Sequence, residues 1–274
     1  MKAKKILFVN QEMTPYVPES GLSLLGRKLP QLTQENSREI RTFMPKWGII
    51  NERRNQLHEV IRLSGMNLEV DDTDHPLIIK VASIQAARLQ IYFIDNDEFF
   101  QKHLMSYDEN GVPYSTNPER ACFYARGVLE TLKKLRWAPD IIHCQGWMSA
   151  FIPLFVKGEY ANDPSYRNCM TVFTPSHTRM NAPLPDNING ILTFETPSLP
   201  QIVQGIDEPA DMQLLNRMGV KWADGVAAYE KNDCLMQLAK QLGKPYTEAD
   251  GAEELMTLFP AFYDTVWSTK EHED

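Results

Sequence analysis

The stretch Lys4 to Gly26, KKILFVNQEMTPYVPESGLSLLG, decides the fold. Ile6-Leu7-Phe8-Val9 is a continuous β-prone apolar run, the pattern of a strand covered on both faces of a parallel sheet. It stops in Asn10 to Gly21, a polar, proline-bracketed loop too long for a tight turn. Leu22 to Glu35 then carries apolar residues at 22, 24, 25, 29 and 32, a helical spacing, with Pro30 expected to kink or end the helix. Ile40 to Met44 reads as a second strand, stopped by Pro45. Strand, helix and strand make a βαβ unit with a right-handed crossover. In open α/β sheets the loop after the first strand borders the crevice where ligands bind, so a site is expected here.

The remaining chain repeats this alternation. Leu77 to Ala82 and Leu89 to Ile94 read as strands joined through Ser83 to Arg88, and Val70 to Pro76 as an acidic loop whose carboxylates either bind a cation or, as is commoner without a glycine-bearing loop, are solvated. Asn117-Pro118-Glu119 is a helix start, with Asn117 as N-cap and apolar residues following at 121, 125, 128, 129, 132 and 135 until Pro139. Strands at Ile141-Ile142, Met170 to Thr174 and Gly225 to Tyr229 alternate with helices at Trp147 to Val156, Asp211 to Trp222 and Asp233 to Leu242. A proline-rich loop spans Pro183 to Pro200, and an apolar helix, Leu255 to Trp267, comes last. The expectation is a Rossmann-like, doubly wound, mostly parallel sheet over residues 1–250, followed by a C-terminal helix and charged tail over 251–274.

With 274 residues the chain can bury a sizeable core, and 43% apolar with 23% charged residues is an ordinary globular composition. A formal charge of -8 argues against a nucleic-acid partner, since the basic clusters are short. No run reaches the length of a membrane span, and four apolar residues near the start are too few for a signal peptide. Cys122, Cys144, Cys169 and Cys234 are widely spaced among apolar neighbours, as reduced, buried thiols would be, with no zinc or disulfide spacing. A cytoplasmic protein without metal or cofactor is the expectation.

Glycine-rich phosphate loops, nucleophile elbows and zinc helices are lacking, so chemistry must come from constellations. His143 ends a strand at the carboxyl edge, where a buried structural histidine is the default reading. Ser176-His177 follows the strand ending at Thr174 at that edge and suits a polar ligand contact. Glu12 and Glu19 flank the first loop as sugar-hydroxyl ligands or as solvated carboxylates, and Trp147 suits either a sugar platform or the core.

Taken in order, these segments resemble the N-terminal half of bacterial glycogen synthases and plant starch synthases, two-domain GT-B glycosyltransferases that move glucose from ADP-glucose to an α-glucan. The resemblance rests on Lys5 to Val9 with Glu12, Pro15 and Gly21-Leu22; Leu29-Pro30; Arg41 to Pro45; Tyr92 to Asn96 with Phe99-Phe100; and Asn117, Arg120, Tyr124 to Arg126 and Leu129-Glu130. It continues through Pro139 to His143, Trp147, Pro153, Val172 to Thr174 and Met218 to Asp224, covering about residues 4 to 245. The residue reading and the resemblance together give candidate substrate contacts at Glu12, Glu19, Gly21, Asn117, Arg120, His143, Trp147 and Ser176, and a catalytic candidate at His177.

Several family residues are replaced. The first loop of the family reads K-T-G-G-L, its lysine and glycines serving donor phosphates; here Pro18-Glu19-Ser20-Gly21-Leu22 stand instead. Phosphate needs N–H donors and positive charge, which Glu19 opposes. Gln145-Gly146-Trp147-Met148 replaces H-D-W-H, Thr116 to Ala121 loses an aspartate, and T-x-H-N becomes Thr174-Pro175-Ser176-His177, shifting the histidine by one. The chain also ends before the family's second domain, which carries the nucleotide pocket. Two readings follow: a glucosyltransferase completed by a second subunit, or a catalytically degenerate domain that binds α-glucan or a protein partner. The degenerate reading predicts that the face of the second domain is apolar or occupied, with the terminal helix Leu255 to Trp267 as its occupant.

Overall fold

The computed structural model describes residues 3–102, 104–177, 182–192, 213–230 and 233–270. Parts of the proline-rich loop and of the Asp211 to Trp222 helix, and the end of the charged tail, lie outside the described residues. A ten-stranded sheet runs through the molecule. Its strands are β1 (Lys5–Asn10), β2 (Glu39–Pro45), β3 (His58–Glu59), β4 (Met66–Val70), β5 (Thr73–Ile84), β6 (Leu89–Asp95), β7 (Ile141–Gln145), β8 (Met170–Thr174), β9 (Gly225–Ala228) and β10 (Tyr246–Glu248). Their order is β10-β9-β8-β7-β1-β2-β6-β5-β3, with β4 pairing β5. β10 through β6 are parallel, and β3, β4 and β5 form an antiparallel margin. The mostly parallel, doubly wound expectation holds for this sheet.

Seven helices occur among the described residues: α1 (Gly21–Glu35), α2 (Asn117–Leu135), α3 (Phe151–Lys157), α4 (Ile188–Leu192), α5 (Gln213–Trp222), α6 (Asp233–Gln241) and α7 (Ala252–Thr269). They cover both faces, as the apolar runs demand. Alternate strand residues Ile6, Phe8, Ile141, Val172 and Ala227 pack with Leu22, Leu25 and Leu29 of α1 and with Leu255, Phe259, Tyr263 and Val266 of α7. The intervening Leu7, Val9, Ile142, Cys144, Phe173 and Val226 pack with α2, α3, α5 and α6.

Several local readings change. Pro30 lies inside α1 without ending it, because burial of Leu29, Pro30 and Thr33 against the sheet outweighs the one hydrogen bond a proline cannot donate. Val70 to Pro76 is a tight hairpin, not a loop: Val70 pairs with Thr73, and Asp71 and Asp72, at φ 52° and 56°, make the two-residue turn. Aspartate tolerates this left-handed backbone better than most residues, so the turn forms without glycine. Trp147–Ser149 is a 3-10 turn that precedes α3. Thr116, rather than Asn117, precedes α2 as its cap residue.

The tail helix is also placed differently. α7 packs on α1 and on the strands β7 to β9, where its apolar stripe completes the core. Its last turns reach the amino edge, where Asp264 pairs with Arg38 at 2.9 Å and Lys270 Nζ donates to the Asn168 carbonyl. It therefore lies along one face of the sheet and does not occupy the carboxyl-edge crevice. None of the described helices is long and apolar enough to cross a membrane.

Candidate functional site

The strand order reverses between β1 and β7, because the chain leaves β1 toward β2 and β6 and returns to β7 on β1's other side. The carboxyl ends of those two strands are where an open α/β sheet offers a ligand crevice. Here the crevice is filled from within. Gln11 N donates to the Gln145 carbonyl at 2.9 Å, and Gly146 N to the Thr174 carbonyl at 2.8 Å, which extends the ladder past the strand ends. Gly146 has φ 83°, and a Cβ there would lie 2.4 Å from Gln11 Oε1. Glycine is thus needed both for the backbone angle and to seat the Gln11 amide, which accepts from Met148 N at 3.3 Å. Trp47 Nε1 donates to the Gln11 carbonyl at 2.8 Å.

Glu12 continues the chain from this plug. Its Oε1 accepts from Gln11 Nε2 at 2.9 Å and its Oε2 from Ser20 Oγ at 2.7 Å. Ser20 is the N-cap of α1: its Oγ accepts from Ser23 N at 3.0 Å, while Ser20 N donates to Ser23 Oγ at 2.7 Å. This reciprocal capping box uses donors that a helix start could otherwise offer to an anion, and it places a carboxylate in front of them. Gly21 follows, pressed so close to Tyr229 that a Cβ would meet Cε2 at 2.5 Å. Glu19 is exposed beside the cap.

The loops after β8 and β9 supply the other wall. The Asn216 amide clamps Ser176, accepting from its N–H at 3.2 Å and donating to its carbonyl at 3.1 Å. That clamp fixes the next residue, His177, whose Nδ1 lies 3.5 Å from Glu230 Oε2 and whose ring meets Tyr229 edge-on at 4.8 Å. Burial lowers the His177 pKa and the Glu230 carboxylate opposes that shift, with the lowering prevailing. His177 Nε2 has no hydrogen-bond partner among the described residues. Glu12, Glu19, Gly21, Ser176 and His177 thus share one edge, joined by Tyr229, Glu230, Asn216 and Gln11, which the sequence reading did not single out.

Four candidates are absorbed by the fold. Arg120 and Asn117 are fully buried. Arg120 donates to the carbonyls of Phe99 and Met105, each at 2.7 Å, and to Asn117 Oδ1 at 2.8 Å, with the rings of Trp47, Phe100 and Tyr114 around its guanidinium. Burial draws its pKa down to about 9, which still leaves it charged at neutral pH. Asn117 Nδ2 donates to the Ser106 carbonyl instead of capping a helix. His143 is held between the Tyr263 hydroxyl at Nδ1, 2.7 Å, and Thr174 Oγ1 at Nε2, 2.8 Å. Burial pushes its pKa down to about 3, so the ring is neutral. Trp147 is fully buried in the core. All four are buried, because the side chains that looked chemical are the ones the core satisfies or encloses.

Among the described residues no cluster of three or more His, Cys, Asp or Glu could hold a metal ion. The four thiols are unpaired; Cys122 and Cys144 are buried, Cys169 half-buried and Cys234 exposed, so the expectation of uniformly buried thiols fails at Cys234 on the polar face of α6. Surface clefts of about 420 Å3, beside Lys4 and Arg38, and about 430 Å3, beside Glu35 and Arg88, open at the amino edge and not at the candidate site.

The family model of the starch synthase catalytic domain matches residues 5–236. The chain is 38% identical over 171 residues to the glycogen synthase of Pelodictyon phaeoclathratiforme (strain DSM 5477 / BU-1), covering 62% of this chain and 35% of that protein. It is 33% identical over 222 residues to the glycogen synthase of Chlorobaculum tepidum (strain ATCC 49652 / DSM 12025 / NBRC 103806 / TLS), covering 80% of this chain and 44% of that protein. The chain thus spans less than half the length of these relatives. Among solved structures it superposes on the catalytic domain of starch synthase IV from Arabidopsis thaliana, bound to ADP and acarbose, with a TM-score of 0.70 at 16% identity, covering 91% of this chain and 51% of that one. That likeness concerns the fold, a GT-B half. The matched family model, spanning most of the chain from β1 to α6, makes this protein a member of the starch synthase catalytic domain family.

Proposed function

We propose that this domain serves α-glucan metabolism as a non-catalytic relative of the glycogen synthase N-terminal domain, binding neutral α-glucan at the carboxyl edge and not nucleotide sugar. The observation that carries this reading is the closed start of α1, where Ser20 and Ser23 cap each other and Glu12 accepts from Ser20 Oγ at 2.7 Å. A diphosphate there would face a carboxylate and would have to break the capping box. Glu19 and Glu230 add negative charge at the same edge, and the lowered pKa of His177 leaves it without compensating charge at neutral pH. Carboxylates and a neutral imidazole suit sugar hydroxyls, which donate as well as accept.

The experiment is a melting-temperature titration with maltoheptaose and with ADP-glucose, alongside transfer of labelled glucose to glycogen. A ligand that binds only the native state must raise the melting temperature. A rise with maltoheptaose, none with ADP-glucose, and no transfer are the expected results. Turnover by the purified chain alone would overturn the reading. A second reading, transfer completed by another chain, draws on the fact that the chain spans only 35% to 44% of its relatives' length. It requires ADP-glucose to bind once that partner is present.

A further inference from the structure

On the other half of the sheet, at the carboxyl ends of β2 and β6, lies a charged group that the glucan reading does not use. Lys46 follows β2 directly, and Pro45 pairs with Ile94, so Lys46 stands beside Asp95. Lys46 N donates to the Ile94 carbonyl at 2.8 Å, continuing that register. Lys80 of β5 pairs with Phe93 and is therefore diagonal to Asp95. The Asp95 side chain is 0% exposed, with Oδ2 2.8 Å from Lys80 Nζ, and it also accepts from Asn96 N and Gln101 Nε2. Asp95 thus balances one lysine. The second ammonium, on a Lys46 side chain only 7% exposed, faces one carboxylate, Glu52, at 3.0 Å.

Glu52 differs in kind from the other three. It sits on the irregular turn between Asn51 and Gln56, outside every strand and helix, and its side chain is 38% exposed. One of its oxygens, Oε1, bridges both ammoniums, at 2.7 Å from Lys80 and 3.0 Å from Lys46. A buried ammonium left unpaired is strongly destabilising, so this position must hold an anion. The tether supplies one from the surface side, on a turn whose next two residues, Arg53 and Arg54, are exposed cations. The nearest further carboxylate in register, Glu59 opposite Lys80 on β3, is exposed.

We infer that Lys46 and Lys80 form an oxyanion-binding site which Glu52 occupies as an internal stand-in, and that a phosphate-class oxyanion displaces the Glu52 carboxylate by swinging its turn outward. With Glu52 displaced, Lys46 and Lys80 against Asp95 leave one net positive charge, so the entering group must bring at least one negative charge. Two ammoniums converging on a single oxygen position match a phosphoryl oxygen, whose remaining tetrahedral oxygens face the space the turn has left. Displacement involves no bond to carbon or phosphorus, only exchange of one set of ion pairs for another. The inference is independent of the glucan reading, since it uses another part of the edge.

The test is anion rescue. Glu52→Gln keeps the shape but removes the charge, and its melting temperature in chloride should fall below that of the wild type. Millimolar inorganic phosphate, at constant ionic strength, should restore most of that loss, raise the wild type less, and leave the double variant Lys46→Met, Glu52→Gln unmoved. If Glu52→Gln does not fold in chloride, refolding in phosphate but not chloride supports the site equally. Backbone amide shifts of wild-type Asn51 to Gln56 under phosphate titration give a readout without any variant. No response beyond chloride, a response that survives loss of Lys46, or equal rescue by acetate would each overturn the assignment.

Discussion

His143 has room for one proton on its ring and hydroxyl partners on both nitrogens, Tyr263 OH at 2.7 Å and Thr174 Oγ1 at 2.8 Å. Either hydroxyl can donate or accept, so a neutral ring is satisfied, while a cation would be buried without a counterion. Burial lowers its pKa from 6.5 to about 3. The unfolded chain therefore binds the proton first: the His143 contribution to stability is full above about pH 6.5 and is lost as pH falls toward 3, reaching roughly 5 kcal/mol. Urea unfolding between about pH 6 and pH 5, above the carboxylate range, should show a falling midpoint that is flattened in His143→Phe. Gly26 sits where α1 crosses the Glu12 backbone. A Cβ there would lie 2.3 Å from the Glu12 carbonyl oxygen, a backbone atom that cannot step aside. Glycine to alanine inside a helix normally gains about 0.5–1 kcal/mol, but Gly26→Ala should instead cost about 2–3 kcal/mol by denaturant unfolding. His143 was legible as a strand-end histidine with a structural default; nothing in the sequence announced Tyr263, 120 residues away, as its partner.

At the scale of elements, the strands were the most legible, since Ile6 to Val9 or Val172 to Thr174 can be buried on two faces in few other ways. Turns and caps were less so. Asp71-Asp72 closes a hairpin without glycine, and Asn117 resembles a cap by type but spends its amide on Arg120 and Ser106. The helix α7 was visible as an apolar stripe, but its place was not, because periodicity tells that one face is buried and not against what. Its docking rests on Phe259, Tyr263 and Val266 in the core with α1, and on the Arg38–Asp264 pair at 2.9 Å. Phe259→Ala should cost about 3–5 kcal/mol. Tyr263→Phe should cost about 1–3 kcal/mol by leaving a buried ring nitrogen of His143 unpaired, and both are read by thermal or urea unfolding. The smaller loss, from a change of one oxygen atom, would mark the hydrogen bond and not the packing.

Across the whole molecule, the order of the strands was legible and the packing of their loops against one another was not. The position of the crevice follows from strand order, which the alternating segments imply. The filling of its floor between β1 and β7 follows from the Gln11 side chain lying in the seat made by Gly146 and from Glu12 turning back to Ser20, contacts between loops that no local pattern encodes. The loss of family cations was readable residue by residue, and a net charge of -8 agrees with a molecule that does not gather anions globally. An anion site such as Lys46 and Lys80 must therefore be local. Below the usual carboxylate range the tether should fail: burial alone would raise the Glu52 pKa, but hydrogen bonds from Lys80 and Lys46 hold it below 4.5. Its stabilising contribution is present above that value and is lost as pH falls through the lower folded-state pKa, so the acid limb of wild-type stability should be steeper than that of Glu52→Gln.

The uneven placement of the thiols has an experimental consequence. Burial raises the pKa of Cys122 and of Cys169 to about 12 and that of Cys144 well above its usual value, so these three are poor nucleophiles at neutral pH. Cys234 alone of the four is exposed, at the start of α6, four positions beyond Glu230. The unmodified protein thus carries its own attachment point for a fluorophore on α6, and quantitative single-site maleimide labelling would let maltoheptaose binding be followed by emission without introducing any mutation.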